Sequence, residues 1–319
     1  MKILLITPEF FGYECAIKQA LIKSECEVDW YPHIDAPNNL YKVFYRFFSF
    51  IMKAHYYRYL LSRISYDSDY DKIVVIKGEG VGQKLLMKLK SLFPKAELIF
   101  YNWDSFKNNS LLPAEFHLYD KVKSFDGDDC KENNKVEHLA LFYSNEFKLD
   151  KAVNVDFVFY FAGTLHSNRY KDVKDVVSLV EGTGKSYIYF YCQSRPIFYL
   201  KKLFGKLPKE LSITEVGFDK KSKEELRVLL LKSNCVIDFS HYLQVGLTMR
   251  TIEALGMKKK IVTNNSSVIN YDFYNENNIY VLGESSFTLD EFLLKPYIDL
   301  PDAIYKKYDI DNWVVRLIN

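Results

Sequence analysis

The sequence predicts an α/β protein built from two doubly wound parallel sheets. Short apolar, β-rich runs alternate with longer runs of helical periodicity along the whole chain. Runs that are apolar throughout, such as Ile73-Val74-Val75-Ile76, suit parallel strands that are covered on both faces. The alternation continues over 319 residues and therefore favours two such sheets over one.

The individual elements follow from the two periodicities, taken in chain order. Strands are predicted at 2–7, 27–31, 72–76, 97–102, 122–125, 156–162, 187–191, 213–216, 235–238, 260–263 and 279–281. Helices are predicted at 13–24, 40–64, 81–92, 168–181, 196–205, 222–231 and 248–256, and again near the end of the chain. The polar, aperiodic stretch at 145–154 is the predicted seam, so the predicted segments are 1–150, 151–300 and a helical segment at 301–319.

Composition excludes several classes of protein. Apolar residues make up 48% and charged residues 26%, which excludes a disordered chain and a membrane-spanning one. The formal net charge of +2 is too small to indicate a protein that binds nucleic acid. Five cysteines without a CxxC spacing argue against a disulfide framework or a structural zinc site. With no signal-peptide pattern at the start, we expect a cytoplasmic protein.

One predicted helix is unusually basic. Positions 36–66 hold no acidic residue, and Lys42, Arg46 and Lys53 fall within roughly 40° of each other at 100° per residue. Apolar side chains gather on the opposite side. Two interpretations stay open for 40–64: a helix that lies on an anionic membrane surface, or one whose phenylalanine-rich face packs on the first sheet.

A strand–loop–helix stretch carries candidate phosphate chemistry. A strand ends near Asp238, a loop with Gly246 follows, and Thr248 fits an N-cap. A helix N-terminus after a glycine loop attracts anions, and Arg250 in the first turn adds a bidentate phosphate donor. Glu253, one turn further, could accept two ribose hydroxyls. Taken alone, Arg250 and Glu253 fit a surface ion pair at i,i+3 better than a ligand site.

The order of these elements, with Glu-Ala-Leu-Gly at 253–256 and a strand at 260–263, resembles the donor-nucleotide region of GT-B glycosyltransferases. Those enzymes have two facing Rossmann-like domains. Phe-Ala-Gly-Thr-Leu-His-Ser-Asn-Arg at 161–169 resembles the first strand and loop of their C-terminal domain, and Glu-Val-Gly-Phe at 215–218 resembles their base-proximal loop. The similarity is greatest to the CgeB-like branch and to bacterial surface-polysaccharide glycosyltransferases.

The resemblance implies a glycosyltransferase that takes a nucleotide-diphosphate sugar as donor and a saccharide or lipid-linked acceptor, in lipopolysaccharide or capsule assembly. It implies an acceptor domain at 1–150 and a donor domain at 151–300. No cofactor and no metal are expected, so backbone amides and cations would stabilise the leaving diphosphate. The implied donor-binding residues are Gly163, Thr164, Arg169, Gly217, Phe218, Thr248, Arg250 and Glu253.

The sequence departs from one pattern of the family. Many retaining members carry Glu-x7-Glu, but Val245 stands eight residues before Glu253. The departure favours an inverting enzyme, which needs a general base. Because ligands of open α/β sheets bind at the carboxyl ends of strands, Glu9, Glu79 and Asp104 are the candidates. Asp104 is preferred, since its aromatic neighbours could stack on a sugar, although it fits an aspartate that caps a turn or a helix about equally well.

Other motifs carry weaker signals. Gly-Glu-Gly-Val-Gly at 78–82 lacks the G-x-G-x-x-G spacing of a dinucleotide loop and is interpreted as an acceptor-side loop. Asp126 and Asp128 mimic a metal-binding Asp-x-Asp, but a turn is preferred. His166 and His241 fall in loops where they could touch phosphate or be ordinary loop residues. Two other functions stay open: a GT-B-fold sugar-nucleotide epimerase, and a non-catalytic protein that binds nucleotide sugars or polysaccharide.

Overall fold

The chain folds into two units. The structure is a computed structural model that describes residues 1–34, 48–106, 113–149, 153–165, 169–180, 182, 184–240 and 245–319. Met1–Phe142, Leu243–Gly246 and Tyr308–Asn319 form the first unit, and Tyr143–Tyr242 with Leu247–Lys307 forms the second. Within the described residues, each unit contains one six-stranded parallel sheet. The predicted α/β class with two parallel sheets is therefore confirmed.

The first sheet has the strand order β2-β1-β3-β4-β5-β6. Its strands and helices are β1 Lys2–Thr7, α1 Tyr13–Lys23, β2 Glu27–Pro32, α2 Ser49–Leu61, β3 Lys72–Ile76, α3 Gln83–Leu92, β4 Glu97–Asn102, β5 Lys121–Ser124, α4 Gly127–Glu132 and β6 Val136–His138. Helix α3 shows how the core forms, because Leu85, Leu86 and Leu89 occupy one face and are fully buried with Val75 and Phe100.

The second sheet has the strand order β12-β11-β10-β7-β8-β9. Its strands and helices are β7 Phe157–Thr164, α5 Arg169–Ser178, β8 Tyr187–Tyr191, α6 Arg195–Leu203, β9 Val216–Gly217, α7 Lys223–Leu231, β10 Ser233–Asp238, α8 Met249–Gly256, β11 Lys260–Thr263, β12 Ile279–Val281, α9 Leu289–Leu294 and α10 Asp302–Lys307. Capping boxes start α7 at Ser222–Glu225 and α9 at Thr288–Glu291, and each satisfies amides that the first helical turn cannot pair.

The last helix belongs to the first unit. Helix α11, Ile310–Ile318, buries Trp313, whose indole N–H donates to the Ala140 carbonyl at 2.9 Å. The Trp313 ring also lies 4.4 Å from the ring of Phe142. Asp311 pairs with Lys23 on α1. The C-terminal segment therefore divides at Tyr308, with α10 in the second unit and α11 in the first.

Most predicted strands lie within two residues of the observed ones. The predicted strand at 213–216 is wrong, because Ile213–Glu215 is a 3-10 turn with its own capping box and β9 is only Val216–Gly217. The short elements β6 and α4 escaped prediction because three to six residues are too few to show a period. Of the helices within the described residues, none combines the length and apolarity that crossing a bilayer requires.

The basic segment at 40–64 is described only in part. Residues 40–47, with Lys42 and Arg46, lie outside the described residues, and α2 covers only Ser49–Leu61 of the predicted helix. The Lys53 ammonium is 2.8 Å from a carboxylate oxygen of the buried Glu115, and its stem packs against Gly82. Lys53 therefore contributes to the packing of the first unit, while the membrane interpretation of the segment stays a prediction.

Candidate functional site

The strand order of the second sheet reverses between β7 and β10, which are parallel neighbours. Numbered by position in the chain, its strands have the order 3-2-1-4-5-6. In open α/β sheets of this order, ligands bind outside the carboxyl ends of the two strands where the order reverses. Those ends carry Gly163 and Thr164 on β7 and Asp238 on β10. Helix α8 begins close by, because its N-cap Thr248 hydrogen-bonds to Asp238.

Asp238 ties the end of β10 to the start of α8. Its carboxylate is 1% exposed. The hydroxyls of Thr248 and Thr251 donate to Oδ2 at 2.6 and 2.5 Å, and Arg250 donates to Oδ1 at 3.0 Å. A buried carboxylate needs this many partners, because desolvation otherwise makes its ionised form costly. Asp238 was not predicted as a site residue, although an acid that ends an apolar strand shortly before a helix beginning with Thr-x-Arg-Thr at 248–251 was an available signal.

Arg250 is fixed at the end of β7. Its second amino group donates to the Ala162 carbonyl at 2.6 Å, and its guanidinium lies 5.2 Å from the centre of the Phe161 ring. Gly163 permits this placement, since a Cβ there would come within 3.3 Å of the guanidinium. The carboxylate partner of Arg250 is Asp238, so a simple i,i+3 pair with Glu253 does not describe this residue.

Arg169 leaves a positive charge at the same strand ends. It starts α5 and donates to the carbonyls of Phe239 at 3.1 Å and Thr164 at 3.5 Å. Within the described part of the chain, no carboxylate lies within ion-pair distance of its guanidinium. Burial lowers the pKa of Arg169 and the nearby charge of Arg250 lowers it further, while the charges of Asp238 and Asp172 act in the opposite direction. Asp238 thus forms an ion pair with only one of two guanidinium groups, and we call Arg169 and Arg250 the guanidinium pair.

Helix α8 adds to this positive field. Thr248 is its N-cap, as predicted, and its hydroxyl accepts from the amide of Thr251 at 3.3 Å. The remaining first-turn amides and the helix dipole present partial positive charge at this end. Glu253 is half-buried one turn along the helix. Burial raises the pKa of Tyr160, the charge of Arg250 lowers it and that of Glu253 raises it, so both charges lie near this hydroxyl.

A row of tyrosines extends from β7 across β8 in the second sheet. The Tyr160 and Tyr187 rings lie 6.0 Å apart, those of Tyr187 and Tyr189 lie 6.4 Å apart, and both pairs are within 13° of parallel. Gly217 is required beside this row, because a Cβ there would overlap the Tyr189 ring. Phe218 follows, with the Arg195 guanidinium 5.8 Å from its ring centre. The row was not predicted, although tyrosine alternates along 187–191.

The first sheet brings together two of the three predicted catalytic residues. Its order reverses between β1 and β3, so ligands are expected at the carboxyl ends of those strands. Lys77, just after β3, places its ammonium 3.0 Å from Glu79 and 3.9 Å from Asp104. Lys77 has a φ of 63°, a left-handed conformation that is costly for a residue with a Cβ. Strain of this kind concentrates at functional sites.

The third candidate, Glu9, is not part of that group. It is exposed after β1 and forms no ion pair with any residue that the structure describes. The two residues that follow it, Phe10 and Phe11, are 49% and 47% exposed, with ring centres 4.7 Å apart. Tyr13 lies between Phe10 and Trp103, at 6.3 and 5.7 Å. Exposed rings beside carboxylates suit a sugar, which offers both an apolar face and hydroxyl groups.

Asp129 holds the loop that carries Trp103 and Asp104. It is buried on α4 and accepts from the Ser124 hydroxyl at 2.5 Å, the Asn102 amide at 3.1 Å and the Phe106 backbone N–H at 3.1 Å. Burial raises the pKa of Asp129, and the hydrogen bonds from Ser124, Phe106 and Asn102 lower it. Asp129 therefore fixes the end of β4 by hydrogen bonds, as Asp238 fixes the end of β10.

The glycine-rich loop at 78–82 has a packing explanation. The amide of Gly80 donates to the His33 carbonyl at 3.1 Å, and a Cβ on Gly80 would overlap that oxygen. A Cβ on Gly82 would come within 2.9 Å of the Lys53 side chain. The close approach of neighbouring groups therefore accounts for both glycines.

The Asp-x-Asp motif is a helix cap. Asp126 is buried at the N-cap of α4, and its carboxylate accepts from the amide of Asp128 at 3.0 Å. Within the described ranges, no group of three His, Cys, Asp or Glu side chains is placed to hold a metal ion. His166 and His241 lie outside the described residues.

Comparisons with known proteins give little further information. No family model matches the chain, and no curated protein matches it. A solved structure with partial likeness is a response regulator from Thermotoga maritima, at 18% identity over 35% of this chain and 74% of that chain, with a TM-score of 0.20. At that TM-score, the likeness supports neither a shared fold nor a shared function.

Proposed function

We propose that the protein is a glycosyltransferase of GT-B architecture. It transfers a sugar from a nucleotide-diphosphate donor to a saccharide or lipid-linked acceptor in bacterial surface-polysaccharide synthesis. The observation that carries the proposal is the guanidinium pair: Arg169 and Arg250 lie at the point where the strand order of the second sheet reverses, and Asp238 forms a direct ion pair with only Arg250. A diphosphate would give Arg169 a direct anionic partner as well.

The donor would extend from the guanidinium pair in two directions. Its diphosphate would face Arg169, Arg250, the Gly163-Thr164 strand end and the first-turn amides of α8. Its ribose would donate two hydroxyls to Glu253, while the base would reach Gly217 and Phe218 beside the tyrosine row. When the bond to the sugar breaks, charge develops on the leaving diphosphate, and these fixed donors stabilise it without reorganising.

The carboxylates of the first sheet would provide the general base. Asp104 is the preferred candidate, because the half-buried Trp103 beside it could stack on an acceptor sugar. Asp104 would accept a proton from an acceptor hydroxyl, and Lys77, 3.0 Å from Glu79 and 3.9 Å from Asp104, would hold the two carboxylates together. Phe10 and Phe11 would stack on the acceptor sugar. An inverting reaction without a resident metal follows from this assignment, and activity is expected to survive EDTA.

Calorimetry with nucleoside diphosphates and the matching nucleosides tests the donor site. Arg169→Gln should weaken diphosphate binding by about 1–3 kcal/mol, the range for hydrogen bonds to charged groups, and leave nucleoside binding unchanged. Arg227→Gln is the matched control, since Arg227 pairs with Glu224 at the surface of the same unit. Equal diphosphate affinity in wild type and Arg169→Gln would refute the donor assignment.

Product analysis tests the reaction itself. Incubation with a donor sugar and an acceptor should give a glycosylated acceptor, and Asp104→Asn should stop transfer while nucleotide affinity stays unchanged. A changed sugar from donor alone would identify an epimerase instead. Nucleotide-sugar binding with no product under either condition would identify a non-catalytic binding protein.

A further inference from the structure

Helix α6 in the second unit is apolar on two opposite faces. Its inner face buries Phe198 at 1% exposure. Its outer side exposes Tyr199 at 57%, Leu200 at 52%, Leu203 at 78% and, at the C-cap, Phe204 at 70%. At 100° per residue these four side chains span about 140° of the helix surface. A contiguous exposed patch of large apolar side chains indicates an interaction surface, whereas single exposed side chains do not.

The surroundings of this patch are basic. The stretch 195–211 contains Arg195, Lys201, Lys202, Lys206 and Lys209 and a single acidic residue, Glu210, so its formal charge is +4. The amines of Lys201 and Lys202 donate to the backbone carbonyls of Leu165 and Leu211 at 3.0 and 2.8 Å, so no carboxylate neutralises them there. Lys206 and Lys209 are exposed just beyond the helix, after the left-handed turn at Gly205.

We propose that this surface, defined by Tyr199, Leu200, Leu203 and Phe204 with Lys206 and Lys209, docks on an anionic lipid bilayer. The apolar side chains would enter the boundary between headgroups and acyl chains, while the lysines contact anionic headgroups. Charge decides between this partner and a second copy of the chain. A two-fold dimer through the same patch would place two +4 surfaces against each other, which is unfavourable.

Co-sedimentation of the full chain with vesicles tests the proposal. Vesicles of phosphatidylcholine with 30% phosphatidylglycerol are compared with phosphatidylcholine alone, each at low and high salt. Binding should require the anionic lipid and weaken with salt. The double variant Leu203→Ser with Phe204→Ser should lower the partition coefficient by at least about tenfold, from the apolar burial it loses. The double variant Lys206→Glu with Lys209→Glu should also lower vesicle binding, and the reduction should be larger at low salt than at high salt.

Matched controls use exposed residues elsewhere. Leu294→Ser removes a leucine that is 86% exposed on α9, and Lys84→Glu with Lys95→Glu reverses two exposed charges in the first unit. Both controls should bind vesicles as wild type does, and circular dichroism should show every variant folded. Wild-type binding by either α6 variant would overturn the proposal. So would a wild-type dimer in ultracentrifugation that dissociates in the Leu203/Phe204 variant, because the patch would then be covered by a second copy.

This inference is independent of the proposed function. The α6 variants leave the guanidinium pair intact, so their nucleotide affinity should not change. Vesicle binding without nucleotide binding would therefore support the membrane surface and contradict the glycosyltransferase proposal. Nucleotide binding without vesicle binding would support the donor site and contradict the membrane surface.

Discussion

Each unit fixes the end of a strand with a buried aspartate, and the two aspartates differ in their partners. Asp238 in the second unit binds the cation Arg250 together with two threonine hydroxyls. Asp129 in the first unit binds only neutral donors, from Ser124, Asn102 and the Phe106 amide. The same device therefore fixes a cation at one site and, through neutral donors, the loop that carries Trp103 and Asp104 at the other. This difference suits a diphosphate in the second unit and a sugar in the first.

Buried lysines show that burial of a charge alone does not indicate function. Lys123 on β5 donates to the Arg316 carbonyl of α11 at 2.6 Å, and Lys260 on β11 donates to the Phe292 carbonyl of α9 at 2.5 Å. Both lysines therefore cap a helix C-terminus, where the dipole favours a cation. Burial lowers the pKa of each. The guanidinium pair differs in its place, because Arg169 and Arg250 lie together at the strand ends where ligands of open α/β sheets bind and not at a helix C-terminus.

The largest expected effect separates the two aspartates. Asp238→Ala leaves the half-buried Arg250 without its counter-charge and should lower the free energy of unfolding by about 3 kcal/mol, the lower end of the range for a buried pair. Asp129→Ala removes hydrogen bonds to neutral donors and should cost less, about 1–3 kcal/mol. Urea unfolding followed by circular dichroism measures both. Tryptophan fluorescence reports on the first unit directly, because Trp30, Trp103 and Trp313 all lie there.

A double variant sharpens this test. Adding Arg250→Gln to Asp238→Ala removes the stranded cation, so the double variant should be more stable than Asp238→Ala alone. If Asp238→Ala and Asp129→Ala cost the same, or if the second substitution brings no recovery, the charge of Arg250 does not distinguish the two units.

The second expected effect is a difference in pH dependence. Because the pKa of Asp129 is raised in the fold, the folded state binds a proton that the unfolded state has already released. The stability that Asp129 contributes is thus fully present below the pKa of the unfolded carboxyl and is lost as pH rises through the folded pKa. The free energy of unfolding should therefore fall between mildly acidic and neutral pH, and it should fall less in Asp129→Asn than in wild type. Thermal unfolding across that range measures it, and parallel curves for both proteins would contradict the raised pKa.

The sequence was sufficient for the parallel strands and long helices, because periodicity survives without tertiary contacts. Strands β1, β3 and β11 were predicted to the residue, and Thr248 was predicted as an N-cap. The pairing of strands could not be predicted, since the order of a sheet depends on contacts between distant segments.

The site was predicted in parts. Arg250 was expected to be a phosphate donor, but its bond to Asp238 joins residues twelve positions apart across a loop. The approach of Lys77 to both Glu79 and Asp104 likewise depends on the neighbouring positions of β3 and β4. The local sequence thus identified several of the site residues, but which of their charges pair with one another depends on contacts that only the fold creates.

The smallest expected effect compares two strained lysines, one in each unit. Lys77 and Lys258 have φ values of 63° and 52°, and glycine at either position should relieve roughly 1 kcal/mol of backbone strain. Lys258 follows the C-terminus of α8, where Lys259 N–H returns to the Ala254 carbonyl, a position at which helices commonly use glycine. Lys258→Gly also loses a partly exposed ion pair with Asp299 at 2.6 Å, worth at most about 1 kcal/mol, so its melting temperature should stay close to that of wild type and the proposed transferase activity should not change. Lys77→Gly gains the same relief but loses partly exposed ion pairs worth at most about 1 kcal/mol, so its stability should stay close to that of wild type. Its transferase activity should fall, because Asp104 and Glu79 lose the ammonium that holds them together. An active Lys77→Gly enzyme would show that the strain at the end of β3 serves the backbone turn alone, as it does after α8.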